Sequence, residues 1–291
     1  MIDFLTMLIN GLSLGGVYAL IALGYTMVYG IAKMLNFAHG DIIMVGGYAI
    51  VVFFNLTGMP VVSILAAVAI CIALGIAIEK VAYKPLRQAS PLAVLITAIG
   101  VSYLLQSFAQ MFFGAGGQTI VIENLGSLTI GELKIKWATM ITLIVAVAIM
   151  VSLTIFINKS KVGKAMLAVS EDKEAAQLMG INVNTIITIT FAIGSALAAV
   201  AGACYIMKTP NVSPTLGSLP GIKAFTAAVI GGIGSIPGAM LGGILLGMIE
   251  IICNSVPALS GYTVAIEFGL LILILLVRPT GILGKQKREK V

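Results

Sequence analysis

Two carboxylates stand where carboxylates are costly. Glu250 lies in 249-IEIICN-254 and Glu267 in 264-VAIEFG-269, each inside a long apolar run. Placing an acid at the centre of a bilayer costs about 3 kcal/mol on insertion scales, so such residues face a protein interior and mark function or pairing. Four uses are open to them: relaying protons, staying protonated, pairing within the bundle, or touching a partner subunit. Asp41 is a third acid, following Asn36 and the single histidine, His39, in 31-IAKMLNFAHGD-41. One histidine leaves a metal site short of ligands, so the expectation there is a local hydrogen bond or a helix N-cap by Asp41. A different chemistry runs along 91-PLAVLITAIGVSYLLQSFAQMFFG-114, where Thr97, Ser102, Gln106 and Gln110 punctuate an oily segment. A path for a small zwitterion with an apolar side chain needs that mixture. Hydrogen bonding between helices is the competing use.

Other chemistry is disfavoured. No nucleophile stands beside a base, and Cys71, Cys204 and Cys253 fall singly in apolar runs, as packing residues do. Phosphate cradles of the form GxxxxGK[ST] need Gly-Lys followed by Ser or Thr. Here Gly163-Lys164 and Gly284-Lys285 are followed by Ala and Gln, so no ATP site is expected in this chain.

The elements that must position these groups are membrane helices. The chain has 291 residues, 59% hydrophobic and 10% charged, whereas soluble domains carry about 25% charge. The expectation is one all-α polytopic membrane domain over 1–291. Apolar runs near 5–31, 40–56, 60–80, 91–113, 137–158, 185–207, 219–232, 237–255 and 261–278 give nine spans, with eight or ten as alternatives because 219–232 is short. MIDF at the start has no basic n-region, so a cleavable signal is not expected. With the C-terminus inside, thirteen of the seventeen Lys and Arg residues fall on the inner side, as the positive-inside rule requires. The N-terminus is then outside, and 279–291 is a basic cytoplasmic tail. Lys134, Lys136, Lys208 and Lys223 fall on the outer side or its margin. The loop 114–136 is outer, with alternating runs that read as a small hairpin or a plain loop. Glu79 is expected to snorkel at the inner surface.

Helix interruptions at 31–41 and at 231-GGIGSIPGAMLGG-243 occupy related places in the two halves. They read either as broken backbone beside a water-filled path or as tight turns. Gly238/Gly242, Gly243/Gly247 and Ala198/Gly202 are small pairs four apart, suited to close helix packing.

One inner loop, 159–184, is charged. In 161-KVGKAMLAVSEDKEAAQLMGINV-183, Ser170 reads as the N-cap of a short helix. Glu171, Asp172 and Glu174 favour its positive end, and Gly180 stops it. About nine residues make ~13 Å, too short to span. Ala175, Leu178 and Met179 form a small apolar stripe that a partner could cover.

Glu174-Ala175-Ala176 with Gly180 resembles the EAA signature of ABC importer permeases, although the usual Ile-x-Leu-Pro downstream is replaced by NVNTIITITF. The segments 34-MLNFAHGDIIMVGGY-48, 162-VGKAMLAVSEDKEAAQLMGIN-182, 230-IGGIGSIPGAMLGG-243 and 278-RPTGILG-284 extend the likeness. Over nearly its whole length the chain resembles the shorter of the two permeases in Leu/Ile/Val importers. That resemblance implies a non-catalytic subunit in a bacterial inner membrane, with Ser170 to Gly180 as a coupling helix against an ATPase. It also implies a second related permease, two ATPases that bind ATP and Mg, an extracytoplasmic binding protein, and no nucleic acid. Urea, amide or other amino-acid cargo is an alternative within the class, and an ion-coupled secondary transporter is the alternative outside it.

Overall fold

The computed structural model of the protein describes residues 2–120, 126–130 and 133–284. The tail 285–291 and part of the 114–136 loop lie outside the described residues. Among the described residues seven helices are long and apolar enough to cross a membrane: α1 (Ile2–Ala32), α2 (His39–Thr57), α3 (Pro60–Ile78), α4 (Pro91–Phe113), α5 (Trp137–Lys159), α8 (Val183–Ile206) and α10 (Ile236–Ser255). Shorter apolar helices α9 (Ser218–Gly231) and α12 (Thr263–Val277) complete nine apolar helices at the nine expected places. α6 (Lys161–Glu171) and α7 (Lys173–Leu178) form the charged loop, and α11 (Pro257–Ser260) is a single turn.

α1 is the hub. Val17 through Leu23 are almost fully buried, enclosed by α5, α8, α9 and α10. Lipid gives helices no hydrophobic reason to associate, so small residues that bring backbones together must do it. A Cβ built on Gly243 would stand 2.4 Å from the Ala19 backbone, and one on Gly247 would stand 2.2 Å from Gly15 N. The small pairs therefore sit at helix crossings. By contrast α3, α4 and α5 expose Leu65, Ile96, Leu104, Met111, Ile144 and Val151, an apolar surface untenable in water.

Two helices start inside the bundle rather than at its end. After α1 stops, Lys33 turns the chain with φ +60°, and residues 34–38 run back beside it. His39 then packs against Tyr25, with ring centroids 4.7 Å apart, and against Gly24. Gly24 lies eight residues before the end of α1, about 12 Å up the helix. α2 therefore begins near mid-depth. α9 begins at the same level: its Gly221 and the preceding Gly217 meet the backbone of Gly40, and a Cβ on Gly217 would stand 1.8 Å from Gly40 O. The two helices then run in opposite directions. The far end of α9 lies at the end where α1 finishes, since a Cβ on Gly30 would stand 3.4 Å from the Cα of Gly234; Ile282 and Leu283 donate backbone N–H to Ile230 and Gly231 there.

The interruption at 31–41 is thus a broken helix within the bundle. The one at 231–243 is a tight turn, with Gly232 and Gly234 at φ +110° and +92° and Ser235 Oγ capping Gly238 N at 3.2 Å. The counterpart of the first break is 207–217, ahead of α9. At the opposite end of the bundle β2 (Ser127–Ile130) pairs antiparallel with β3 (Leu133–Lys136), the hairpin of the two readings left open for this loop. β1 (Gln118–Thr119) pairs with β4 (Asn211–Val212), on the way into α9.

Candidate functional site

Where α2 and α9 meet, a cavity of about 300 Å³ opens between them, α1 and α4. Successive turns of α4 supply Leu95, Ile99, Ser102 and Gln106 to one wall, the helical spacing that puts them on one face. α2 supplies Asp41 and α9 supplies Ser218 and Ile222. Gln106 Nε2 donates to Asp41 Oδ1 at 2.9 Å and to Ser102 Oγ at 3.2 Å. Asp41 is only 2% exposed. Tyr103 also lines the space and is 66% exposed, so the cavity opens on the uncovered flank of α4.

Three of the sequence candidates, Asp41, Ser102 and Gln106, come together here. Asp41 is not the expected local cap: its side-chain partner is on α4, and α2 has no side-chain N-cap. The remaining candidates in these helices are elsewhere. Thr97 Oγ1 turns back to Ala93 O at 2.9 Å, as a hydroxyl in an apolar helix does when no partner helix faces it. Asn36 accepts from Tyr83 Oη at 2.9 Å, bracing the broken segment against the end of α3. His39 is buried against Gly24 and Tyr25, outside the cavity lining.

Glu250 and Glu267 are found in a second cluster, one turn of α9 away. Lys223 Nζ lies 2.9 Å from Glu250 Oε2, and Tyr18 Oη donates to that same oxygen at 2.6 Å. Glu267 Oε2 is 3.2 Å from Lys223 Nζ, placed for coulombic attraction rather than a directed hydrogen bond. The ammonium also sits 5.9 Å from the Tyr18 ring centroid, within cation–π range. Lys223 was counted at the outer margin; it is 6% exposed and inside the bundle. Its signal was available, because a lone cation inside the apolar run 219–232 needs an acid. The three charges tie α9 to α10 and α12, and the tyrosine adds α1.

At the end carrying α6 and α7, Glu79 does not snorkel. Its side chain is fully buried, ion-paired to Arg87, and accepts from Thr188 Oγ1 at 2.9 Å. The axis of α3 widens there into a π turn over Glu79–Tyr83, and such turns concentrate at functional places. Arg87 also donates to Asn184 at the start of α8.

The charged loop differs from expectation in its cap. Ser170 is the penultimate residue of α6 and donates to Leu167 O. Asp172 is the N-cap of α7, accepting from Glu174 N and Ala175 N at 2.9 and 3.0 Å. α7 is accordingly six residues long rather than nine. A carboxylate beats a hydroxyl here because it satisfies two orphan amides at once and meets the positive helix end with a full charge. Gly180 does end the segment, at φ +83°, with Ile181 N reaching back to Ala176 O at 3.0 Å. That pattern needs the left-handed conformation glycine adopts freely.

Ala176 is 4% exposed and packs inward, so it cannot touch a partner; Leu178 and Met179 are 89% and 83% exposed. Lys173 Nζ donates to Ala32 O, the last carbonyl of α1, at 2.9 Å. Burial, and then the like charge of Arg87, hold this ammonium below the usual lysine pKa. α7 is thereby fastened to the point where α1 breaks.

Comparison with known proteins bears on the same regions. Residues 7–275 match the family described as branched-chain amino acid transport system / permease component. The chain is 45% identical over 302 residues to the high-affinity branched-chain amino acid transport system permease protein BraD of Pseudomonas aeruginosa, covering 99% of this chain and 98% of that protein. It is 43% identical over 304 residues to LivH of Escherichia coli K12, a permease protein of the same description, with the same coverage. The ribose import permease protein RbsC of Escherichia coli is 27% identical over 281 residues, covering 93% of this chain and 84% of that protein.

Proposed function

This chain belongs to the permease-component family of branched-chain amino acid transport systems, and from that premise we propose that it is the membrane half-channel of an ATP-driven importer for branched-chain amino acids. The observation that carries the reading is the polar cavity at the meeting point of two helices that begin inside an apolar bundle. Broken backbone at that depth is tolerated when it lines a solute path.

The geometry is compatible with the following working parts. The end bearing α6 and α7 faces the cytoplasm, with the N-terminus outside and the C-terminus inside, in a bacterial inner membrane. Leu178 and Met179 enter a groove on an ATPase subunit, which binds the ATP and Mg that this chain has no loop to hold. Asp172, Glu171 and Glu174 present acidic groups around that contact. Movement of α7 reaches Ala32 through Lys173 and so acts on the break that leads to Asp41. A second, related permease covers the open flank of α4 at Tyr103, closing the cavity into a path between two subunits. A binding protein on the opposite face delivers the solute near the hairpin.

The importer reading is favoured over an ion-coupled carrier by the pairing of Glu250 and Glu267 with Lys223. A proton relay needs carboxylates that exchange protons along a path, and these are held by a common cation. Reconstitution tests the choice. In liposomes the chain alone should not concentrate leucine under any ion gradient. With the second permease, the ATPases, the binding protein and ATP it should. Accumulation by the single chain on a gradient would refute the proposal.

A further inference from the structure

We propose that Asp41 receives the ammonium group of an amino acid in transit, so that the cavity is a transient binding site within the permease itself. This rests on the importer reading and adds a selectivity step that the binding protein does not perform.

The first ground is an accounting of buried acids. Among the described residues Glu79 is paired with Arg87, and Glu250 and Glu267 share Lys223. Asp41 is 2% exposed, close to Glu79 and Glu267, yet no Lys or Arg pairs with it among the described residues. Gln106 gives it a neutral donor only. An ionised carboxylate in an apolar interior is compensated by a cation or is costly. The carboxylate faces the space a solute would occupy, where a cationic group of that solute would supply the compensation that the neutral donors do not.

The second ground is the cavity. Its volume of about 300 Å³ is at the lower end of the ~300–1,000 Å³ typical of small-molecule sites. Asp41 is the single charged residue among its described lining residues; Phe37, Leu95, Ile99 and Ile222 give apolar wall, and Ser102, Gln106, Ser218 and two tyrosines give neutral hydrogen-bonding groups. One anionic group against an aliphatic wall suits an ammonium attached to an aliphatic side chain. It opposes a free anion. The start of α9 faces the same space, and its positive end favours the carboxylate of the same zwitterion.

The test uses the whole transporter in proteoliposomes, with labelled leucine uptake and ATP hydrolysis measured together. Asp41→Asn should lower uptake by roughly tenfold or more while hydrolysis stimulated by the loaded binding protein stays within about twofold of wild type, because only interactions made with the moving solute are removed. Asp41→Glu should keep an intermediate uptake. Asn uptake close to wild type overturns the assignment. So does an equal loss of uptake and hydrolysis in both variants, which marks a purely structural role. A sodium requirement that Asp41→Asn abolishes would mean the missing cation is a metal ion, and overturns it too.

Should the Asn variant not assemble, Ser102→Cys gives an independent readout. A cationic methanethiosulfonate should modify it several-fold faster than an anionic one, after scaling to a free thiol in solution. Equal rates overturn the inference. If the wild-type complex accumulates no leucine, it is the importer reading that has failed, and the two failures are told apart.

Discussion

Replacing Lys223 by methionine should destabilise the bundle strongly, and neutralising its two acids alongside it should restore most of the loss. Glu250 and Glu267 each have an oxygen about 3 Å from Lys223 Nζ, so these oxygens are no more than about 6 Å apart. With the ammonium gone, two carboxylates at that separation repel by about 2.7 kcal/mol at an effective dielectric of 20. Removing one partner of a buried ion pair costs about 3–5 kcal/mol in measured cases, so the coulombic estimate falls at the lower edge of that range. For a chain of this size each kcal/mol moves the melting midpoint by roughly 2–4 °C, which gives a loss of roughly 6–12 °C for Lys223→Met. The triple variant Lys223→Met, Glu250→Gln, Glu267→Gln keeps the volumes and has no buried charge to compensate. It should melt within about 4 °C of wild type, since well-packed neutral replacements of buried ion pairs are often neutral or stabilising. The assay is thermal unfolding of the purified complex in detergent. A single variant that melts like wild type, or a triple variant no better than the single one, would refute the idea that Lys223 neutralises both acids.

The coupling tip and its cap can be probed separately. Leu178→Asp with Met179→Asp should abolish co-purification of the ATPase and ATP-driven uptake while leaving the melting midpoint of the membrane subunit unchanged, because both side chains are almost wholly exposed. Asp172→Ala should cost about 1 kcal/mol of local helix stability, seen as faster amide exchange over residues 174–179. Ser170→Ala should leave that exchange unchanged, since its hydroxyl bonds within α6.

Much of the architecture was legible along the chain. The nine apolar segments, the charged loop and its terminating Gly180 follow from local composition, which left the hairpin open against a plain loop. A helix long enough to cross a bilayer advertises itself in about 20 consecutive residues, and a left-handed stop needs one glycine in one place. The cap on α7 was misread within the same window. Ser170 and Asp172 are both competent N-caps, and which one caps depends on where α6 ends. α6 buries Met166 and Val169 in the bundle, contacts that reach beyond the loop and that its local sequence does not display.

The candidate site divides along the same line. Composition alone marked Asp41, Ser102, Gln106, Glu250 and Glu267 as polar groups in oily surroundings, because the penalty for each is local and large. Their partners were set by the rotation and depth of one helix against another. Gln106 and Asp41 are 65 residues apart in the chain, and Tyr18 and Glu250 are 232 apart. Hydrophobic periodicity is almost silent in helices that are apolar all round, so it could orient neither the face of α4 nor the cation of α9. Packing between helices fixed those rotations, and only the folded chain reveals that, among the described residues, Glu79, Glu250 and Glu267 each have a cation while no Lys or Arg pairs with Asp41.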